Sequence, residues 1–291
     1  MRTLCVGDAL VDLVCERHVD GLAEADGFAR HFGGATANAC VIAARLGGDV
    51  ALAGAAGDDE WGRWLRDRLA AEGVGIEWFE LVPGSTALAF VTVDPGGEPA
   101  YALRDGVEPP LARLPEALED CDALAFSSNA LVGEAERAVT LAARERALEA
   151  GKPVVLDANL RLHRWPHPGR AATEVRGCLA GAFLVKCNRA EAAMLSGEDD
   201  PERAAAGLLA AGVRHVIVTL GARGAILRGE LRHAVPGVPA RVVNTAGAGD
   251  AFLGALLARL GQSDYYPATL AAALGEAAAE AARATERWGA T

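Results

Sequence analysis

Short apolar strands alternating with longer helical segments dominate this chain, and the alternation confines it to one fold class. Residues 123–126, 153–157, 183–187 and 216–220 read as strands without a polar face, and residues 134–150 and 202–211 as helices. The N-terminal part keeps the same beat: a strand over 4–14, a helix over 37–46, a strand over 50–55 and a helix over 60–72. A strand apolar on both sides needs cover on both sides, and helical crossovers supply it. The expected fold is therefore α/β, doubly wound around a mainly parallel sheet. Two stretches break the rhythm. Residues 87–103 alternate around Asp94-Pro95-Gly96-Gly97 as a hairpin, and residues 11–32 are extended and turn-rich. They predict a small inserted β-sheet, a lid of residues 11–33 and 85–105, over a core of residues 1–10, 34–84 and 106–291. Such a sheet would stand at the strand ends where open α/β folds bind ligands. It can exclude water from a site, decorate the fold, or serve as a dimer surface.

The segment Val242 to Phe252 narrows the chemistry. A β-branched strand end runs into Thr245-Ala246-Gly247-Ala248-Gly249, and Asp250 follows at the mouth of an apolar helix. Small residues let backbone N–H groups crowd around an anion, and a helix N-terminus adds partial positive charge. A carboxylate there repels a resting phosphate, so Asp250 makes sense as the group that holds an attacking hydroxyl. Read alone, the segment equally fits a glycine turn and an ordinary helix start. The dinucleotide pattern fails at Phe252, and the one Gly-Lys pair, Gly151-Lys152, is followed by Pro153 and makes no Walker loop.

Composition removes other classes. A net charge of −11 over 291 residues argues against nucleic acid or an anionic membrane as the main partner. No apolar run is long enough for a bilayer span or uninterrupted enough for a signal peptide, which predicts a cytoplasmic protein. The six cysteines are irregularly spaced and read as buried thiols. His163 and His167 are separated by Pro166, which breaks a zinc-bearing helix.

Polar residues collect just past the predicted strand ends: Asp12, Gly33-Gly34 with Asn38, Asp157 with Asn159 and Arg161, Asn188 with Glu191, Thr219 with Gly221 and Gly224, and Asp250. Any one could be a cap or a turn. As a set they predict one crevice. Asp12 and Asn38 offer the acceptor and donor groups a polyhydroxylated ligand needs. Asn188 and Glu191, three apart, can orient magnesium through its waters. Arg161 can balance an anionic group.

These motifs resemble the ribokinase, or PfkB, family of sugar kinases over essentially the whole chain. The N-terminal signature is echoed by Gly33 to Asn38, Ala43-x-Arg45-Leu46-Gly47 and Gly57-Asp58-Asp59, and the C-terminal one by Thr245 to Phe252. The resemblance implies that Asp250 is the base and that the Ala246 to Gly249 backbone, with Gly247, Ala248 and Gly249 at its heart, forms an anion hole. It implies that Asp12, Gly33, Gly34, Asn38, Asn159 and Arg161 contact a sugar. Asn188, Thr219, Gly221, Gly224 and Ala246 would line the ATP side, and Glu191 would reach magnesium through water. The segment Asp157-Ala158-Asn159-Leu160-Arg161 with Trp165 resembles D-P-N-L-R-x-x-L-W of fructokinases and of 2-keto-3-deoxygluconate kinases. Asn244 stands where most of the family carries aspartate at a monovalent-cation site, which leaves K+ activation open. The implied activity is ATP-dependent phosphorylation of a primary hydroxyl of a small sugar, fructose to fructose 6-phosphate foremost. The alternatives are 2-keto-3-deoxygluconate or a nucleoside as acceptor, and, from another class, a non-catalytic sugar- or nucleotide-binding protein. A homodimer through the lid is expected.

Overall fold

A computed structural model describes all 291 residues, the side chain of Pro168 excepted. The first part of the chain runs β1 (Thr3–Val6), β2 (Leu10–His18), β3 (Ala29–Gly33), α1 (Ala35–Arg45), β4 (Val50–Gly57), α2 (Glu60–Ala71), β5 (Phe79–Val82), β6 (Leu88–Val93) and β7 (Pro99–Arg104). There follow α3 (Leu114–Glu119), β8 (Ala123–Ser127), α4 (Glu134–Glu149), β9 (Val154–Asp157), α5 (Pro168–Gly177), β10 (Leu184–Asn188) and α6 (Arg189–Ser196). The last part is α7 (Pro201–Ala210), β11 (His215–Thr219), β12 (Ala225–Gly229), β13 (His233–Val235), α8 (Ala248–Gln262) and α9 (Thr269–Ala284).

Nine strands form the central sheet in the order β13-β12-β11-β10-β9-β8-β1-β4-β5. All neighbours are parallel except the β11–β12 and β12–β13 pairs. From β1 the chain winds outward through β4 to β5, then returns to β8 on the other side. The β1/β8 boundary is thus a topological switch point, where the strand ends leave a crevice. Two apolar layers cover the sheet. Residues of α3 to α7 pack on one face, among them Leu114, Ala147, Val175 and Leu208. Residues of α1, α2, α8 and α9 pack on the other, among them Val41, Leu69, Leu256 and Leu274. Gly254 lets α8 approach α1 closely, because a Cβ there would stand 2.5 Å from the carbonyl of Ala39 and 2.8 Å from Cβ of Ile42. That approach brings the start of α8 to Asn38.

The single strand expected over 4–14 is two strands in different sheets. After Val6 the chain turns at Asp8, whose carboxylate accepts from the N–H (3.4 Å) and hydroxyl (3.3 Å) of Thr36 at the start of α1. It then enters the separate sheet β3-β2-β6-β7. The two antiparallel pieces expected there, β2/β3 and β6/β7, are joined by parallel pairing of β2 with β6. Val14, Ala89 and Val91 form the lid's apolar face, and Trp288, from the segment after α9, packs against them. All six cysteines are buried and unpaired. Among the described residues no helix is long and apolar enough to cross a membrane.

Candidate active site

A crevice of about 540 Å³ opens at the C-terminal ends of β9, β10 and β11, with Glu98, Pro99 and Tyr101 of the lid forming one wall. Asn159, Arg161, Asn188, Glu191, Thr219 and the loop from Thr245 to Gly247 line it, together with Gly249 and Asp250. Gly247 caps α8 in a left-handed conformation (φ 76°), and a Cβ there would overlap Ala290. Only glycine satisfies both the turn and the packing. Asp250 is the third residue of α8 and is 6% exposed. Burial pushes its carboxyl up to about 6, against the pull of Arg161, the Asn38 hydrogen bond and Lys186. Asn38 Nδ2 donates to Asp250 Oδ2 at 3.0 Å, while its own Oδ1 is buried without a partner. A buried, unpartnered acceptor therefore lies on the same amide that binds the carboxylate.

Asp12 lies on β2, and burial together with Asp250 and Asp8 raises its carboxyl well above the ordinary range. A Cβ on Gly33 would overlap Asp12, and Gly34 is the N-cap position of α1. Asp12, Gly33, Gly34 and Asn38 thus gather on the lid side of Asp250. Arg161 has its guanidinium carbon 6.0 Å from the centre of the Tyr101 ring. Burial opposes its charge, but Asp250, Tyr101 and Glu191 hold it above its ordinary value. Asn159 sits at φ 32° with its Nδ2 buried and unpartnered, and its carbonyl accepts from the Ser128 hydroxyl at 2.8 Å. An asparagine held there by a neighbouring loop, with a spare donor, is a built polar wall rather than a passive turn.

Asn188 and Glu191 open α6 as a reciprocal capping box. Asn188 Oδ1 accepts from Glu191 N–H (2.9 Å), and Glu191 Oε2 accepts from Asn188 N–H (2.8 Å). Glu191 Oε1 also accepts from Leu160 N–H at 2.9 Å, tying α6 to the loop after β9. Among the described residues no group of three or more His, Cys, Asp or Glu side chains is placed to hold a metal. Thr219 lines the crevice, while Gly221 and Gly224 shape the short turn behind it and stand away from the opening.

One expectation needs correction. Ala246 lines the crevice, but its N–H is bound by Asn244 Oδ1 at 2.9 Å, so that amide does not contribute to an anion hole. The Ala248 N–H makes only a long contact of 3.4 Å to Thr245 O, which leaves Gly247, Ala248 and Gly249 as the donor set. Asn244 itself is 1% exposed, and its Nδ2 donates to Trp288 O at 2.6 Å. Both ends of that amide are engaged within the protein, and Nδ2 faces the carbonyl as a donor. Oδ1 has a second lone pair besides the one that meets Ala246, and that is the side chain's one remaining position for a cation.

Sequence periodicity carried no warning of Lys186. It lies in β10, opposite Asp157 in the register, and its Nζ donates to both Asp157 oxygens at 2.9 Å. A usable signal was present: Lys152 and Lys186 are the only lysines among 28 basic residues, and Lys186 stands within an apolar strand. Tyr101 was likewise hidden within the alternation of a hairpin.

A helix N-terminus rich in small residues, a buried carboxylate in its first turn and cations in the facing wall define a phosphoryl-transfer enzyme. The chain belongs to the pfkB family of carbohydrate kinases, whose profile matches residues 2–290. It is 33% identical to fructokinase-2 of Solanum lycopersicum over 262 residues, covering 87% of this chain and 80% of that one. It is 36% identical to the fructokinase of Klebsiella pneumoniae over 268 residues, covering 88% and 83%. The fold matches aminoimidazole riboside kinase from Salmonella enterica, complexed with aminoimidazole riboside and an ATP analogue (TM-score 0.85, 30% identity, covering 100% and 95%). It also matches a double mutant of Vibrio cholerae fructokinase bound to fructose, ADP and potassium (TM-score 0.86, 30% identity, covering 99% and 93%).

Proposed function

We propose that this carbohydrate kinase transfers the terminal phosphoryl group of ATP to the primary hydroxyl of fructose, giving fructose 6-phosphate. The observation that carries the reading is the Asn38–Asp250 pair at the start of α8. The carboxylate is buried beside the loop's N–H groups, and Asn38 keeps a buried, unpartnered Oδ1 that a sugar hydroxyl would satisfy. In this reading Asp12, Asn38 and Asn159 orient the sugar, with Gly33 and Gly34 allowing close approach. Asp250 takes the hydroxyl proton as the sugar oxygen bonds to phosphorus and the bond to the β–γ bridging oxygen breaks. The Gly247, Ala248 and Gly249 amides and Arg161 take up the negative charge of the group in transfer. Thr219 and Asn188 lie along the nucleotide side, and residues 11–33 and 85–105 act as a lid that keeps water out.

Magnesium, brought by the nucleotide, would neutralise phosphate charge. Glu191, with both oxygens accepting backbone N–H groups, suits a hydrated ion better than one held directly by protein. The fructokinase relatives favour fructose over 2-keto-3-deoxygluconate, and the intact carboxylate and loop favour catalysis over mere binding. A second copy of the chain over the lid's outer face belongs to the same proposal. Phe28 is 38% exposed there, with its ring edge-on to Phe90 at 5.3 Å. Sedimentation at micromolar concentration should then give a dimer, and a monomer would remove that part.

A coupled assay with ATP against fructose, ribose, 2-keto-3-deoxygluconate, adenosine and fructose 6-phosphate tests the substrate. Fructose should give the highest kcat/KM, and a tenfold better rate constant for any other acceptor would overturn the assignment. Asp12→Ala should raise KM for the sugar at least about tenfold with KM for ATP little changed, as loss of a buried hydrogen-bonding carboxyl predicts.

A further inference from the structure

We propose that Lys186 is a catalytic residue, its ammonium donating to an oxygen of the phosphoryl group in transfer beside Gly249. The inference rests on the phosphoryl-transfer reading of the crevice. Lys186 is 5% exposed and Asp157 is 2% exposed, yet the lysine lines the crevice. Its Nζ stands 3.2 Å from where a Cβ on Gly249 would sit, so it lies directly against the first turn of α8. An ammonium has three N–H donors, and Asp157 accepts two of them, leaving one without a protein partner among the described residues.

Stability alone does not explain the pair. Taking two charges out of water generally costs as much as their attraction returns, and apolar side chains of the same volume do as well or better. The chain's other lysine makes the contrast: Lys152 donates to the carbonyls of Leu118 and Cys121, a purely structural use. Lys186 instead presents a compact point charge beside a loop of backbone donors. The broader fork of arginine, the basic residue used almost everywhere else in the chain, matches this position less well. Asp157 acts through Lys186 as a positioning residue, aiming the ammonium along the strand end.

During transfer Lys186 keeps its proton. The bond that forms joins the sugar oxygen to the terminal phosphorus, the bond that breaks joins that phosphorus to the bridging oxygen, and the hydroxyl proton goes to Asp250. Lys186 lowers the barrier by meeting charge on the non-bridging oxygens.

Three proteins decide the matter: wild type, Lys186→Met, and Lys186→Met combined with Asp157→Leu, which replaces the whole pair and leaves no lone buried carboxylate. Both variants should lose kcat by about 100-fold or more, the range for removing one electrostatic donor. Calorimetric titration of ADP alone should stay within about threefold of wild type, while ADP with aluminium fluoride and sugar weakens at least tenfold. A merely structural role moves both titrations together. Equal weakening of the two, or recovery of kcat to within threefold of wild type in the double variant, would overturn the proposal. If wild type fails to turn over any sugar, the substrate assignment fails, and the comparison of the two nucleotide titrations still decides Lys186.

Discussion

At the scale of single residues, Asp250 is expected to set the pH dependence of the proposed reaction. Its carboxyl is pushed up to about 6 by burial, so a base at that position should impose a limb near pH 6 on kcat/KM, with activity lost as pH falls through it. Asp250→Asn should lower kcat about 1,000-fold and leave ADP affinity intact; near-normal turnover would remove Asp250 as base. The same shift runs the other way for stability. The folded state holds this proton more tightly than the unfolded chain, so the contribution is present below about pH 4 and lost as pH rises through about 6. The loss is about 3 kcal/mol, from roughly two pH units at about 1.4 kcal/mol each. Asp250→Asn should therefore melt at or above the wild-type temperature at pH 8, and a large drop would contradict a burden of buried charge. Asn244 gives a second residue-scale prediction. Its amide bridges the Ala246 N–H and the Trp288 carbonyl, a task a carboxylate cannot complete. Wild-type kcat should change less than twofold when K+ replaces tetramethylammonium. Asn244→Asp should lose about 1–3 kcal/mol through an unmatched buried acceptor, and K+ should restore part of the melting temperature.

At the scale of elements, the start of α8 combines several demands in four residues. Gly247 turns left-handed against Ala290, the Ala248 N–H makes only a 3.4 Å contact to Thr245 O, and Asp250 closes the turn beside Asn38. Gly247→Ala adds a Cβ where the left-handed conformation alone costs about 1–2 kcal/mol and where Ala290 must move. Denaturant melts should show a loss of at least that size, and kcat should fall more than KM for fructose because the donors that meet the transferring group are displaced. The segment after α9 links this loop to the lid: the Trp288 carbonyl holds Asn244, and its ring stands 4.9 Å from His18 of β2. No periodicity marks such a segment. Likewise the alternation of strands and helices carried the central elements but not β5, α3, α5, α6, β12, β13 or α9. Most of these elements are short or half-exposed, and α9 is so rich in alanine that its apolar stripe has little contrast until neighbours cover one side.

At the scale of the whole molecule, two helical layers bury both faces of the sheet, and the large crevice opens at its C-terminal edge. The cysteines report on that burial. A thiol reagent should modify none of the six within minutes in the native state and all six in denaturant. Saturating nucleotide should slow any residual labelling, since a ligand bound only to the folded state shifts the unfolding equilibrium. Fast labelling of one thiol would reveal local opening of the layer that holds it. The sequence by itself determined the fold class, because strands apolar on both faces demand helices on both sides, and it singled out Asp250 and its loop as candidates, because those residues are contiguous in the chain. The close approach of α1 and α8 that joins Asn38 to Asp250, and the pairing of Lys186 with Asp157, were decided only by the tertiary structure. So was the engagement of both ends of the Asn244 amide. Each depends on residues 29 to 212 positions apart, whose meeting is set by sheet register and helix packing and leaves no periodic mark in the chain.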